Sequence, residues 1–342
     1  GVTWLAATTF IETELPAPVQ FSLKQGSGLR SVARQLQNAG VLDSALRFEL
    51  LARAWGLENR IQAGIYEITG AVSPYGLLQK VTSGEHRQDK ITIVEGWNFG
   101  QLKAAIDAHP ALRHELAQLN EQEISARLGL QYAVPEGLFF PDTYYFVSGA
   151  SDISVLQRAN RMMQSQLETL WAARMEGLPL ENSYQALILA SIVEKETGKA
   201  EERPRVAAVF VNRLRKHMRL QSDPTIIYGL VGGKATLGRG ILRSEIEKFT
   251  PYNTYAIDGL PPGPIANPGR AALEATAHPA ATDDLYFVAD GTGGHVFANS
   301  LNDHSRNVQQ WRRIEQDNKS KAGETPDQDR KSTRLNSSHV AL

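Results

Sequence analysis

The sequence contains no cysteine among its 342 residues. This absence excludes disulfide bonds, thiolate-metal sites and a cysteine nucleophile. The 8 histidines are scattered without a ligand spacing, and the chain contains no H-E-x-x-H motif, no P-loop and no G-x-S-x-G motif. We therefore expect neither a metal nor another cofactor at the functional site.

An excess of charge of one sign is also missing, because 36 Lys and Arg residues face 37 Asp and Glu residues. A basic surface for nucleic acid is therefore not indicated, and a neutral polymer or a small molecule is the more natural ligand. No apolar run reaches the ~18 residues that a membrane span needs. The length predicts about two domains.

Both ends of the chain differ in composition from the rest. Residues 1–10 are mostly apolar and include Trp4, as in the last turns of a membrane helix near the interface. We therefore expect residues 1–19 to be the remnant of a membrane anchor with its juxtamembrane arm. Residues 319–342 are polar and aperiodic, which predicts a disordered and partly non-native tail.

Hydrophobic periodicity divides the remainder into two domains of an α+β protein. Residues 20–90 predict a small α+β module, and residues 91–318 predict a mainly helical domain with short strands and one hairpin. In the larger domain the predicted helices are 98–108, 111–118, 121–128, 151–174, 182–197, 201–217 and 268–277. The predicted strands are 143–147, 285–289 and 295–298.

One carboxylate occupies an unusual position in these helices. Within the helix at 182–197, Leu189, Val193 and Glu196 stack at i, i+4 and i+7. A carboxylate on an apolar stripe must be paired or protonated, and a protonated carboxyl is what a general acid requires. The alternative is a helix end that leaves the core, with Glu196 paired to an arginine. Glu194 points to nearly the opposite side and is expected to be structural, with a loop amide as its candidate partner.

Three loops rich in polar, aromatic, proline and glycine residues could line a site. Loop 135–146 suits a sugar face, or it is the rigid entry to a core strand. Loop 220–229 offers neutral hydrogen-bonding groups, although Asp223 could simply cap a helix. The segments 250–255 and 259–269 are stiffened by proline and glycine, so they either hold a binding surface at low entropic cost or form a long connecting loop.

These segments carry a set of motifs. They include Glu194-Lys-Glu-Thr, Arg219-Leu-Gln-Ser-Asp-Pro-Thr, Tyr252-Asn-Thr-Tyr, Gly259-Leu-Pro-Pro-Gly-Pro-Ile, Asn267-Pro-Gly and Phe140-Pro-Asp-Thr-Tyr. In order and spacing, from about Val19 to Asn318, the chain resembles the YceG-like family of endolytic murein transglycosylases.

The resemblance implies a LysM-like module at 20–90 and a catalytic domain at 91–318. It also implies that a single-pass anchor holds the protein in the bacterial inner membrane, with the catalytic domain in the periplasm. It implies non-hydrolytic cleavage of the MurNAc–GlcNAc bond in peptidoglycan, which leaves a 1,6-anhydro-MurNAc end and limits strand elongation. The expected partners are glycan strands and peptidoglycan synthases (penicillin-binding proteins). The resemblance also implies that Glu196, the second glutamate of the Glu194-Lys-Glu-Thr motif, is the catalytic residue. The expected substrate-binding residues are Asp142, Tyr144, Gln221, Ser222, Asp223, Thr225, Tyr228, Tyr252, Asn253, Thr254, Tyr255 and Asn267.

Chemistry explains why one carboxylate suffices for this reaction. Hydrolytic glycosidases need two, whereas here the nucleophile is the 6-hydroxyl of the reacting sugar itself. Glu196 would protonate the glycosidic oxygen and then take the hydroxyl proton. Two alternatives stay open: a non-catalytic peptidoglycan-binding scaffold, and a glycoside hydrolase with a second carboxylate about 5–9 Å from Glu196. For the hydrolase, the candidates are Asp142, Asp223 and Asp258.

Overall fold

The computed structural model describes residues 10–15, 19–23, 26–84, 88–233 and 237–321. The expected anchor residues 1–9 and tail residues 322–342 lie outside the described residues. Helices dominate over short strands in the described part, which confirms the α+β class. No helix among these residues is long and apolar enough to cross a membrane.

The chain divides into two compact units. The first consists of the chain up to Ile91 together with His109–Glu115 and Tyr144–Asp152, and the second contains the remainder. The domain bounds expected from the sequence, 20–90 and 91–318, stay predictions. In the structure, two short later segments join the first unit. Strand pairing explains this, because residues 88–92 pair with 143–147, and residues 112–113 pair with 150–151. Such long-range pairing is not visible in local periodicity.

The first unit places helices between short strands. Its elements are β1 (Thr13–Glu14), β2 (Val19–Leu23), α1 (Leu29–Asn38), α2 (Ala45–Ala54), β3 (Gly64–Ile68), β4 (Ala71–Val72), α3 (Pro74–Ser83), β5 (Gln88–Thr92), β6 (Leu112–Arg113), β7 (Thr143–Val147) and β8 (Ala150–Ser151). β2 and β3 are antiparallel, with Phe21 opposite Tyr66 and their rings stacked at 5.6 Å. Leu36 and Leu77 from the helices complete the core. Its likeness to a LysM module stays a prediction.

The second unit is mainly helical. Its elements are α4 (Phe99–Asp107), α5 (Glu121–Leu128), α6 (Asp152–Ala172), α7 (Ser183–Glu196), a 3₁₀ turn (Ala200–Glu202), α8 (Arg203–Arg215), α9 (Asp223–Val231), α10 (Arg243–Ile246), α11 (Arg270–Ala277), β9 (Tyr286–Ala289), β10 (His295–Ala298) and α12 (Leu301–Lys321). Helices α7, α8 and α11 pack on one another around a core that includes Val193, Phe210 and Ala272. The predicted hairpin is present, with Phe287 opposite Phe297.

Several helix predictions differ from the structure. The helix predicted at 111–118 is absent, because Leu112 pairs in parallel with Ala150 and the amide of Gly149 donates to Ala111 O at 2.7 Å. Pairing with a distant segment overrides local helix propensity there. Conversely, α9, α10 and α12 are not predicted, and α9 occupies most of the predicted loop 220–229. Helix α12 extends to Lys321, three residues into the predicted tail. Its apolar face is narrow and packs through Val308 onto the strand pair.

Candidate active site

Glu196 is the last residue of α7 and is only 5% exposed. Leu189 and Val193 lie buried on the same helix face, which confirms the predicted apolar stripe. One partner of the carboxylate is a hydroxyl, since Ser222 Oγ donates to Glu196 Oε1. A neutral donor that immediately precedes α9 therefore bonds one oxygen of the buried carboxylate.

Two buried threonines hold Ser222 in place. The Ser222 amide donates to Thr254 Oγ1 at 2.9 Å, and Thr225 Oγ1 donates to Ser222 O at 2.6 Å. The two threonine hydroxyls are themselves 2.9 Å apart, and both residues are fully buried. Buried, fully bonded networks of this kind restrict side-chain geometry. Thr225 and Thr254, predicted to bind substrate, thus contact Ser222 within the protein.

The residue before Ser222 has strained backbone. Gln221 adopts φ 53°, a left-handed conformation that costs a non-glycine residue about 1 kcal/mol or more. Arg213 stabilises this turn, because its buried guanidinium donates to Leu220 O at 3.0 Å and to Gln221 Oε1 at 3.2 Å. Burial lowers the pKa of Arg213, and nearby groups including Glu196 oppose that effect. A buried cation therefore lies within electrostatic range of the carboxylate.

Asp223 follows Ser222 and accepts a hydrogen bond from Tyr255 Oη at 2.7 Å. Burial raises the pKa of Tyr255, and the charge of Asp223 raises it further, so the phenol stays a proton donor. The other two candidates for a second hydrolase carboxylate are exposed. Asp258 is 84% exposed and pairs with Arg219 at 3.0 Å. Asp142 is exposed and accepts from the amide of Thr143 at 2.7 Å.

A second buried glutamate was not singled out from the sequence. Glu136 is 3% exposed and accepts the amide of Phe99 at 2.9 Å, the amide of Gly137 at 3.2 Å and Tyr228 Oη at 3.1 Å. Burial raises the pKa of Glu136 to about 7, against the opposing effect of these donors. The only local signal is an acidic residue between a proline and a glycine, directly before the apolar run that begins at Leu138.

The Glu136→Gln substitution is expected to remove a pH dependence of stability. Burial raises the pKa of Glu136 from 4.5 to about 7, so between these values the folded state binds more protons than the unfolded chain. The free energy of unfolding therefore falls as the pH rises through this window, by on the order of 3 kcal/mol. Glutamine keeps an acceptor oxygen for the Phe99 and Gly137 amides and offers an N–H to Tyr228.

Urea unfolding at about pH 5 and about pH 8 measures this effect. Relative to the wild type, Glu136→Gln should gain stability at the higher pH, whereas exposed Glu247→Gln should change neither value. An equal difference between wild type and Glu136→Gln at both pH values would rule out titration of Glu136 in this range.

The side chains of two other predicted binding residues form hydrogen bonds with backbone groups of the protein itself. Asn253 is buried, and its amide donates to Ile246 O at 2.9 Å and Lys248 O at 2.7 Å. Asn267 is fully buried, accepts from the amide of Phe139 at 2.9 Å and donates to Trp97 O at 3.0 Å. These contacts fit structural roles, and substrate binding by either asparagine stays a prediction.

The remaining predicted positions are tyrosines. Tyr228 and Tyr252 are half-buried and contact each other, with ring centroids 4.7 Å apart. Tyr144 is buried in β7, which belongs to the first unit. The structure thus brings most of the predicted loop residues of the second unit close to Glu196 or to its supports, and Ser222 bonds to the carboxylate.

Glu194 has the structural role expected of it. Its carboxylate accepts the amide of Gly269 at 2.9 Å and lies 3.6 Å from the Arg203 guanidinium. Beyond the helix end, Thr197 Oγ1 donates to Glu202, whose carboxylate also contacts His295 Nδ1 at 2.7 Å. The first contact joins the residue after α7 to the 3₁₀ turn, and the second joins that turn to β10.

Comparison with known proteins gives a consistent result. The model of the YceG-like family matches residues 21–310. A Bacillus subtilis protein named endolytic murein transglycosylase is 30% identical over 314 residues, which cover 86% of this chain and 85% of that protein. A Streptococcus pneumoniae protein of the same name is 29% identical, and the match spans 85% of this chain but 58% of its relative.

A solved structure agrees with this match. The crystal structure of a YceG-like protein from Listeria monocytogenes is similar with a TM-score of 0.53 and 25% identity, covering 86% of this chain and 99% of that one.

Proposed function

Because this chain belongs to the YceG-like family, we propose that it cuts the glycan strands of peptidoglycan internally, as a lytic transglycosylase acting on the MurNAc–GlcNAc bond. The observation that carries the proposal is the buried Glu196 carboxyl at the end of α7, held by the Ser222 hydroxyl. The names of the Bacillus and Streptococcus relatives support the same activity.

In the proposed reaction, protonated Glu196 donates its proton to the glycosidic oxygen as the bond to MurNAc C1 breaks. The GlcNAc leaves with a hydroxyl group, and an oxocarbenium-like centre develops at C1. The Glu196 carboxylate then removes the proton from the C6 hydroxyl of the same sugar, and O6 bonds to C1. The product is a 1,6-anhydro-MurNAc end, and no water is consumed.

The surroundings of Glu196 suit a positive charge that develops during the reaction. Helix α7 ends at this residue, and a helix C-terminus carries partial negative charge. Dipoles that are already in place stabilise a transition state without reorganisation. The Ser222 hydroxyl, itself fixed by Thr254 and Thr225, orients the carboxyl for both proton transfers.

We further propose that the protein works at the bacterial inner membrane, with an N-terminal anchor and a periplasmic catalytic domain. Nascent glycan strands would be its substrate and penicillin-binding proteins its partners, so that cleavage limits strand elongation. These assignments rest on the family and stay proposals.

Product analysis tests the proposed reaction. Purified uncrosslinked glycan strands are incubated with the protein, and the products are weighed by mass spectrometry. Internal fragments that are one water lighter than hydrolysis products are expected. Fragments with free reducing ends would instead indicate a hydrolase, and Asp223 would then be tested first, because it is buried beside Ser222 and bonded to Tyr255.

The Ser222→Ala substitution is expected to slow cleavage roughly 10- to 100-fold, because a hydrogen bond to a charged group contributes about 1.5–3 kcal/mol. Initial rates of anhydro-end formation measure the effect. The matched control is Ser191→Ala on α7, another buried serine, which bonds Ile188 O at 2.7 Å and the Ile265 amide at 3.0 Å. It should lower stability but not the rate; equal rate losses in both variants would argue against orientation by Ser222.

A further inference from the structure

Four half-buried tyrosines form a continuous row in the second unit. The rings of Tyr132 and Tyr184 stack with centroids 3.9 Å apart, and those of Tyr228 and Tyr252 lie 4.7 Å apart. The two pairs meet at Gly263, where a Cβ atom would lie 3.3 Å from Tyr184 Oη and 3.1 Å from Tyr252 Oη. A side chain at this position would crowd both hydroxyls, so glycine allows the row to be continuous.

The row extends away from Glu196 along α7. Tyr184 is the second residue of that helix and Glu196 the last. Twelve residues of α-helix separate them by ~18 Å. At the near end, Tyr228 lies on α9, the helix that begins beside Ser222. The row therefore begins near the catalytic carboxyl and ends at a distance from it that several sugar units would span.

A cavity of about 260 Å³ lies at the far end of the row. The stacked pair Tyr132 and Tyr184 forms part of its wall. Amide and hydroxyl groups of Gln131, Asn160, Gln164 and Ser183 also line it, together with apolar side chains and Glu168.

The lining of this cavity fits an uncharged sugar. Amide and hydroxyl groups can bond sugar hydroxyls and an N-acetyl group, while an aromatic ring can pack against the C–H face of a pyranose. Among the described residues that line the cavity, Glu168 is the only charged one, and no lysine or arginine is present to pair with a carboxylate. The chemistry therefore favours the hexosamine rings over the carboxylates of a stem peptide, or over the free lactyl carboxylate of a strand that carries no peptide.

We infer that this cavity and its Tyr132–Tyr184 wall form a distal sugar-binding subsite for the strand that is cut at Glu196. The inference rests on the proposed function. Occupation of the subsite holds long strands along the tyrosine row, so cleavage several sugar units from a strand end is favoured over cleavage close to the end.

The test compares kcat/KM for short strands, which cannot reach from Glu196 to the cavity, with kcat/KM for long strands. Tyr184→Leu removes the ring, and Gln164→Trp fills the cavity from an exposed position on α6 that tolerates substitution. Both variants should lose roughly tenfold in kcat/KM on long strands, mainly through KM. Their activity on short strands should equal that of the wild type.

Ser165→Trp is the matched control, because Ser165 is exposed on the same helix but does not line the cavity. It should retain the wild-type preference for long strands. The inference is overturned if the wild type cuts short and long strands equally well, or if its preference survives in both Tyr184→Leu and Gln164→Trp. Either result would leave the proposed function intact.

A binding measurement distinguishes failure of the proposed function from failure of the proposed subsite. If the wild type produces no anhydro ends, the proposed function fails, and binding of an N-acetylglucosamine tetramer then decides on the cavity. Titration followed by NMR should show saturable binding to the wild type and to Ser165→Trp, and at least tenfold weaker binding to Gln164→Trp. Absence of binding to the wild type, or equal binding to all three proteins, would overturn the subsite.

Discussion

Glu196→Gln is expected to lower the rate of strand cleavage roughly 10³-fold, because the same carboxyl is proposed as both acid and base. Glutamine keeps an acceptor oxygen for the Ser222 hydroxyl, so the site should retain its geometry. It can neither protonate the glycosidic oxygen nor remove the C6 hydroxyl proton at neutral pH. Single-turnover formation of anhydro ends on uncrosslinked strands, with the thermal midpoint measured in parallel, checks the expectation.

Glu194→Gln provides a control from the same helix. Glu194 pairs with Arg203 at 3.6 Å and accepts the Gly269 amide, so its substitution should lower stability while leaving cleavage within a few-fold of the wild type. If Glu196→Gln cut strands at a rate within tenfold of the wild type, Glu196 would not be the acid and base. If the wild type cut no strands and Glu196→Gln behaved like the wild type in every assay, a non-catalytic peptidoglycan-binding scaffold would be favoured.

Asn267→Leu is expected to lower the free energy of unfolding by about 3 kcal/mol, because a buried donor is left without an acceptor. The amide of Phe139 loses its 2.9 Å partner, and Trp97 O loses one of its two donors. Leucine has a similar volume but can make neither bond. Urea unfolding followed by fluorescence measures the change, provided that the m-value stays constant.

Asn182→Ala is the matched control for this prediction. Asn182 caps α7 from an exposed position by accepting the Gln185 amide at 3.0 Å, and loss of such a cap costs about 1 kcal/mol. The variant at Asn267 should therefore be clearly less stable than the cap variant. A fully stable Asn267→Leu protein with a raised KM would contradict the structural role and support substrate binding by this residue.

The features that were predictable from sequence are local ones. Helix α7 is visible because its cap residue and its apolar spacing lie within a single segment, and the same spacing places Glu196 with Leu189 and Val193. Glu194 is assigned correctly to a structural role because it faces the other way around the same helix. Rotation about a helix axis follows directly from residue number.

Features that depend on distant pairing could not be predicted in this way. Glu136 is buried by contacts with Phe99 and Tyr228, which are 37 and 92 residues away in the chain. The helix expected at 111–118 is absent, and Leu112 in this segment pairs with Ala150 instead. Helix propensity and periodicity contain no information on such partners.

For the site as a whole, the sequence by itself determined which carboxylate lies on an apolar helix face and which loops carry the family motifs. Only the tertiary structure decided which loop residue bonds to that carboxylate, because Ser222 reaches Glu196 through a turn that Thr254 and Arg213 hold in place. It also decided that the tyrosines form one row, since Tyr132, Tyr184 and Tyr252 come from separate segments. Periodicity orients residues within an element, whereas contacts between elements arise from packing of the complete chain.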